Sequence, residues 1–250
     1  MKVDLPVYKG EVLDVTIMDL TYQGMGVAKV DNYPIFIENA LPEEKISVKV
    51  TKTTKNFAFG DVEKIEQVSP HRVNPKGRVY RQTGIAPLQH LEYSEQLKFK
   101  QHQIAELFAK VHMDDVEVLP TIGMANPTQY RNKAQVPVRQ VQGKLTTGFF
   151  KKSSHQLMPI EDYYIQDPAI DHAIIVVRDI LRKYHEAAFD EFHHSGTIRT
   201  IMVRRGYYSH EMMVVIVTRT KHLPMADVVV EEIQAALPEV VSIIQNVNQK

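Results

Sequence analysis

Between Lys45 and Val50 the chain alternates polar and apolar residues, with Ile46, Val48 and Val50 at every second position. A repeat of two puts those three side chains on one face of an extended strand, so this stretch is incompatible with a helix. Neighbouring segments read the same way. Glu11 to Ile17 alternates, Tyr33 to Ile37 is apolar, and Phe57 to Ile65 completes a count of five short strands, with Gly24 and Gly26 marking a tight bend. Five short strands within residues 1–66 predict an OB-like β-barrel, a shape that commonly binds single-stranded nucleic acid. Lys52, Lys55, Asn56 and Phe57 stand near the last turn as expected RNA contacts, while Phe36 and Phe59 are read as core.

Residues 67–89 hold three prolines and two glycines and read as a linker. From residue 90 onward strands and helices interleave. Leu97, Ile104, Leu107, Phe108 and Val111 recur at helical spacing. Asp167-Pro168 opens a second helix, and Pro224 precedes a third with Met225, Val229, Ile233 and Ala236 inside. Strands are expected at 130–140, 145–150, 197–205 and 212–218, with a turn at Gln142-Gly143, and 240–247 reads as a buried last strand. The fold class is therefore α+β: the barrel of residues 1–66, the linker, and a mixed α/β domain over 90–250.

The formal net charge is zero, yet the charge is unevenly spread. Residues 67–155 hold 13 Lys and Arg against 6 Asp and Glu, whereas residues 1–66 hold 8 against 11 and residues 156–250 hold 9 against 13. A central block of that sign can neutralise phosphates in a neutral protein. Tyr130-Arg131-Asn132-Lys133 puts a phenol, a guanidinium, an amide and an ammonium at a strand start, and Phe149-Phe150-Lys151-Lys152-Ser153-Ser154-His155 mixes rings with cations. Alternation requires one of Phe149 and Phe150 to point inward. Arg131, Lys133, Lys151, Lys152 and His155 are the candidates. Arg199, Arg204 and Arg205 face RNA or a further domain, or pair with Glu211 across a hairpin. Adjacent His193 and His194 point apart in extended chain and complete no metal set.

There is no cysteine, which excludes disulfides, thiolate metal sites and thiol nucleophiles. No Gly-x-Gly-x-x-Gly turn offers a cofactor site, and no apolar run reaches the length of a membrane span or signal sequence. A membrane partner is excluded and a cytoplasmic setting is expected.

Two blocks carry a resemblance: Ser69-Pro70-His71-Arg72-Val73-Asn74-Pro75-Lys76, and Gln89 to Gln101. With Asp19 to Lys29, Phe36 to Pro42, Ile198 to Arg204 and Ile243 to Asn248, they resemble the bacterial RNA uracil-5-methyltransferases, in particular the branch acting on 23S ribosomal RNA. The resemblance covers nearly the whole chain. It implies a TRAM domain over 1–66, RNA as partner, and S-adenosylmethionine as methyl donor of the full-length enzyme. It places the nucleophile, general base and donor-binding domain beyond residue 250, so this chain is expected to bind RNA and frame substrate without catalysing alone, and to hold no cofactor. Relatives carry four cysteines for an iron-sulfur cluster where Gly77, Thr83, Ala86 and Tyr163 stand here, so no cluster is expected. The linker is then held by packing of Val73, Val79, Tyr80, Ile85 and Leu88, or is mobile, with Tyr163 filling space beside Val79 or Tyr80. A tRNA-modifying enzyme and a stand-alone RNA-binding adaptor are the alternatives; the TRAM domain argues for the ribosomal branch.

Overall fold

The computed structural model describes residues 5–75 and 82–249. Gly77, Val79 and Tyr80 lie outside these. The chain divides into two units, residues 1–123 and 124–250, so the helix expected within the second domain clusters with the first.

The first unit holds β1 (Val12–Thr16), β2 (Asp19–Leu20), β3 (Gly26–Val30), β4 (Tyr33–Ile37), β5 (Lys45–Thr53) and β6 (Ala58–Gln67) in one sheet of order β1-β5-β6-β4-β3-β2. Only β4 and β6 run parallel. Ile46, Val48 and Val50 point to one face and meet Ala28, Ile35, Ile37 and Ala58 in a fully enclosed core. Among the described residues no ladder joins β1 to β2; the two follow each other along the chain, with Ile17 N–H donating to Glu44 O at 2.9 Å and Met18 N–H to Val27 O at 2.8 Å between them. The sheet has six strands rather than five because the Gly24 bend itself makes the short β2–β3 pair. Gly24 is required there: its φ is +79°, and a Cβ would stand 2.8 Å from Leu88 Cδ2.

One carboxylate ties the linker to this sheet. Glu44 is fully buried; Arg72 Nε donates to its Oε1 at 2.6 Å and Arg72 Nη2 to its Oε2 at 2.8 Å. The Leu41 amide donates to Oε2 at 2.9 Å and the Ser69 amide to Oε1 at 3.3 Å. Burial alone pushes the Glu44 carboxyl up. The Arg72 hydrogen bonds, the Leu41 amide, the guanidinium charge and the Ser69 amide outweigh it and hold the group below the usual carboxylate range. Beyond Arg72 the chain is stitched to residues 90–92, with Val73 N–H donating to His90 O and Glu92 N–H to His71 O, each at 2.9 Å. Leu20, Leu41 and Leu91 form a small second core with Leu88 and Phe99 against it. Of the expected packing residues, Leu88 serves as anticipated, whereas Val73 is 40% exposed and the ion pair takes its place.

From this junction starts α1 (Tyr93–Lys110), none of whose residues is buried. Its apolar stripe is thus no core: Ile104 and Leu107 are 46% and 59% exposed.

The second unit is a six-stranded sheet of order β12-β11-β10-β7-β8-β9, formed by β7 (Lys133–Val141), β8 (Lys144–Phe150), β9 (Leu157–Pro159), β10 (Ile198–Arg205), β11 (Met212–Thr218) and β12 (Val240–Val247), with α2 (Pro168–Lys183) and α3 (Ala226–Ala236). Gln142 and Gly143 both adopt positive φ, as the predicted two-residue turn demands. Asp167 caps α2, its Oδ1 accepting from Ala169 N–H at 2.9 Å. Ile170, Ile174, Val177 and Leu181 of α2 and Val229 and Ile233 of α3 are buried. Met225 and Ala236, expected inside, are exposed, because the α3 stripe buries only those two positions. β12, expected to be buried, is an edge strand paired only with β11 and is largely exposed beyond Val240. Among the described residues no helix is long and apolar enough to cross a membrane.

Tyr163 is buried and packs edge-on against Phe149, with ring centroids 5.4 Å apart. Beside it Asp171, in the first turn of α2, is 8% exposed and accepts the Tyr163 amide through Oδ2 at 3.0 Å, while Oδ1 has no hydrogen-bond partner among the described residues. Burial, opposed by that amide and reinforced by the charges of Asp162 and Asp167, pushes the Asp171 carboxyl up to about 7. Its protonated form therefore favours the fold. That contribution is complete below the ordinary carboxylate value and is lost as pH rises through about 7. Asp171→Asn is expected to match the parent near pH 4 and to exceed it in stability by a few kcal/mol at pH 8, read from urea midpoints; equal midpoints at pH 8 would contradict this.

Candidate nucleic-acid interface

The antiparallel course of β10, β7 and β8 brings the end of β10, the start of β7 and the end of β8 toward one end of the second sheet. Arg131, Lys133 and Arg204 stand at the paired start of β7 and end of β10. Arg131 is exposed and fixed by its backbone, its N–H donating to Ile165 O at 2.8 Å and its carbonyl accepting from Asp167 N–H at 3.1 Å. Its Nε donates to Lys133 O at 2.9 Å, leaving the rest of the guanidinium outward.

Lys133 is the direct cross-strand partner of Arg204 in the β7–β10 ladder. Both are exposed, and neither has an ion-pair partner among the described residues. Two like charges facing each other across a ladder repel, a cost that an anion placed between them would remove. The pairing weighed for Arg204 with Glu211 is not made. The arginine that is paired is Arg205, whose Nη1 donates to Asp167 Oδ2 at 2.7 Å, so the residue capping α2 also neutralises that guanidinium.

Next along the chain, Tyr207 and Tyr208 form the tip of the β10–β11 hairpin, 74% and 92% exposed and edge-on to each other at 4.9 Å. Sequence reasoning missed both. The available signal was the run Arg204-Arg205-Gly206-Tyr207-Tyr208, cations followed by two rings at a glycine turn.

Lys151, Lys152 and His155 share the loop between β8 and β9 and are all exposed. The loop is tight: Lys151 N–H donates to Gln156 O at 2.8 Å and Ser154 N–H to Lys151 O at 3.0 Å. His155 Nδ1 lies 3.9 Å from Glu191, which is also bound by Arg139. The two phenylalanines divide as alternation requires. Phe149 lies against Tyr163, and Phe150 lies beneath the Arg139 guanidinium at 5.0 Å; both rings are half-buried.

In the first unit Lys52 and Lys55 are exposed. Phe36 and Phe59, read as core, are not. They pair with each other across the parallel β4–β6 ladder, on the face opposite Ile35, Ile37 and Ala58, and with Phe57 form a partly exposed cluster with centroids 5.5–6.0 Å apart. Among the described residues no cluster of three or more His, Asp or Glu could hold a metal ion.

The Lys133–Arg204 repulsion gives a direct test. Lys133→Gln is expected to raise stability by a few tenths of a kcal/mol, up to about 1 kcal/mol, while weakening anion binding at this end of the sheet. Thermal unfolding of the two proteins checks the sign; a lowered midpoint would contradict the reading.

Residues 6–62 match the model of the TRAM domain. A Lactiplantibacillus plantarum protein named an uncharacterized RNA methyltransferase is 94% identical over all of this chain and 55% of its own length. An Enterococcus faecalis protein of the same name is 52% identical over 98% of this chain and 54% of its own length. The chain thus spans about half the length of the curated relatives it matches. Among solved structures, the Pyrococcus abyssi tRNA (uracil-54, C5)-methyltransferase in complex with S-adenosyl-L-homocysteine is similar with a TM-score of 0.64 at 22% identity, covering 86% of this chain and 48% of that one, a likeness of fold alone. This chain carries a TRAM domain and is a homologue of bacterial proteins named RNA methyltransferases.

Proposed function

We propose that this chain is the RNA-binding and substrate-framing portion of an S-adenosylmethionine-dependent RNA uracil-5-methyltransferase, acting on 23S ribosomal RNA in the cytoplasm. The observation that carries the RNA reading is the facing pair Lys133 and Arg204, two cations without a counter-charge among the described residues, beside Arg131 and the Tyr207–Tyr208 tip. Phosphates supply the missing charge and the tyrosines supply faces on which unpaired bases stack. Lys151, Lys152 and His155 extend the same end of the sheet, and Lys52 and Lys55 are the contacts of the TRAM domain. The relatives named RNA methyltransferases support the enzyme class, and the resemblance to the ribosomal branch supports the substrate.

The residues present do not fit a methyl donor. In the second unit the chain enters α2 through Asp167-Pro168 and α3 through Pro224-Met225, and neither junction has the glycine turn that lets a nucleotide approach a helix start. The chemistry therefore belongs to the part of the relatives this chain does not span. What these residues do is hold the phosphate path while a uracil is turned out of its stack, a step that costs a few kcal/mol and is lightest in a loop that is already unpaired. Thr83, Ala86 and Tyr163 supply no thiolate to an iron-sulfur cluster, and Gly77 has no side chain to offer.

The isolated chain is expected to bind loop or single-stranded RNA with an affinity that falls steeply with salt, measured by fluorescence anisotropy. Replacing Lys151 and Lys152 together by alanine should weaken all sequences alike and make the log-affinity against log-salt slope shallower by roughly one to two. An unchanged affinity and slope would remove that loop from the RNA path, and absence of any salt-dependent binding would contradict the function. Calorimetry with S-adenosylmethionine is expected to show no tight binding; stoichiometric micromolar binding would overturn the assignment of chemistry elsewhere.

A further inference from the structure

The loop between α2 and β10, at the opposite end of β10 from the Tyr207–Tyr208 tip, holds a ring that phosphate contact does not require. Phe192 is 89% exposed there. Leaving so large an apolar side chain in water forgoes the burial that drives folding. The loop that carries it is nonetheless closed from root to tip. At the root Phe189 is buried, with the Arg199 guanidinium over its ring at 4.6 Å and its N–H donating to Ile198 O at 2.7 Å. Asp190 N–H donates to Ser195 O at 2.9 Å. Gly196 permits this close return, since its φ is +78° and a Cβ would stand 2.1 Å from Ala188 O. At the tip Asp190 Oδ1 accepts the N–H of Phe192 at 2.8 Å and that of His193 at 3.2 Å, while Oδ2 lies 2.8 Å from His193 Nδ1. The exposed ring therefore stands on a fixed backbone.

Its neighbours identify what the ring meets. Glu191, the residue before Phe192, is bound by Arg139 and lies 3.9 Å from His155, at the end of the loop that also carries Lys151 and Lys152. Phe192 is thus anchored beside the cations read above as phosphate contacts. Both carboxylates of its own loop are matched, Glu191 by Arg139 and Asp190 by His193, so neither confronts a phosphate alone. An apolar side chain held out among cations has the form of the wedges that proteins insert between base steps, where a ring replaces the stacking that a displaced base gives up. We propose that Phe192 is such a wedge, a positioning residue that enters the RNA stack where the target uracil is turned out and keeps the gap from closing. The proposal rests on the base-turning reading and names the side chain that fills the vacancy. By stacking on the flanking bases the ring offsets part of the cost of turning the uracil out.

The test measures binding of the 250-residue chain to two RNA stem-loops by fluorescence anisotropy. One holds in its loop a uridine stacked between two purines. The other carries an abasic ribose in place of that uridine, so the vacancy exists without the work of displacing a base. The parent is expected to bind the abasic stem-loop about tenfold more tightly than the intact one. Phe192→Ala is expected to bring that ratio to about one, with an unchanged log-affinity against log-salt slope because no cation is lost. Phe192→Trp is expected to retain the ratio, and circular dichroism checks that both variants are folded. A ratio of one in the parent, or a tenfold ratio that survives Phe192→Ala, would overturn the wedge while leaving RNA binding intact, and would assign the ring to a protein contact. A parent chain that binds neither stem-loop would overturn the RNA reading and the wedge with it.

Discussion

Glu44 is a carboxylate with no access to water, and the arrangement of the first unit depends on how its charge is met. Removing an ion from water costs several kcal/mol, which is recovered only where geometry is good and every lone pair is used. Here a guanidinium meets the carboxylate through two nitrogens and two backbone amides complete the set. The partners come from residues 41, 69 and 72, so one side chain fixes the loop after β4 and the segment after β6 together. Arg72 also donates to Asn39 O at 2.6 Å, extending the clamp. From there the pairing of Val73 and His71 with residues 90–92 sets where α1 begins. The helix then stands as one wall of a groove floored by Phe36, Phe57 and Phe59 with no buried residue of its own, so its position is inherited from the junction.

The two units share a logic of faces. Each sheet gives one face to an aliphatic core and keeps on the other, or at one end, groups that would be costly in an isolated protein. In the first these are three partly exposed phenylalanines; in the second, a lysine facing an arginine. Local conflicts of this kind depart from the consistency that packing alone would select. Arg205 supplies the contrast, since its charge is balanced by Asp167 and serves the α2 terminus.

What the sequence disclosed follows from which interactions are local. The Ile46-Val48-Val50 repeat, the Gln142-Gly143 turn and the Asp167-Pro168 cap are decided by residues within a few positions, and all three stand as read. Phe36 sits in Tyr33-Pro34-Ile35-Phe36-Ile37, where every residue is apolar, so alternation cannot say which face is the core. Leu107 and Ile104 announce a helix face, but periodicity is silent on whether anything lies against it. Glu44 reads as one more acidic residue in a turn, because its partner is 28 residues away. Likewise Arg204 and Arg205 differ in parity, yet only the position of Asp167, 38 residues distant from Arg205, decides which one is neutralised.

The claim on which this account turns is that the Glu44–Arg72 pair holds the junction. A double-mutant cycle with Glu44→Gln, Arg72→Met and the two combined, followed by chemical denaturation, measures it directly. The account predicts that each single replacement costs several kcal/mol, that the combined variant loses little more than either, and that the coupling energy is about 2–3 kcal/mol. Losses that simply add, with a coupling below about 0.5 kcal/mol, would show that the junction is held by its leucine contacts and that the buried ion pair is incidental.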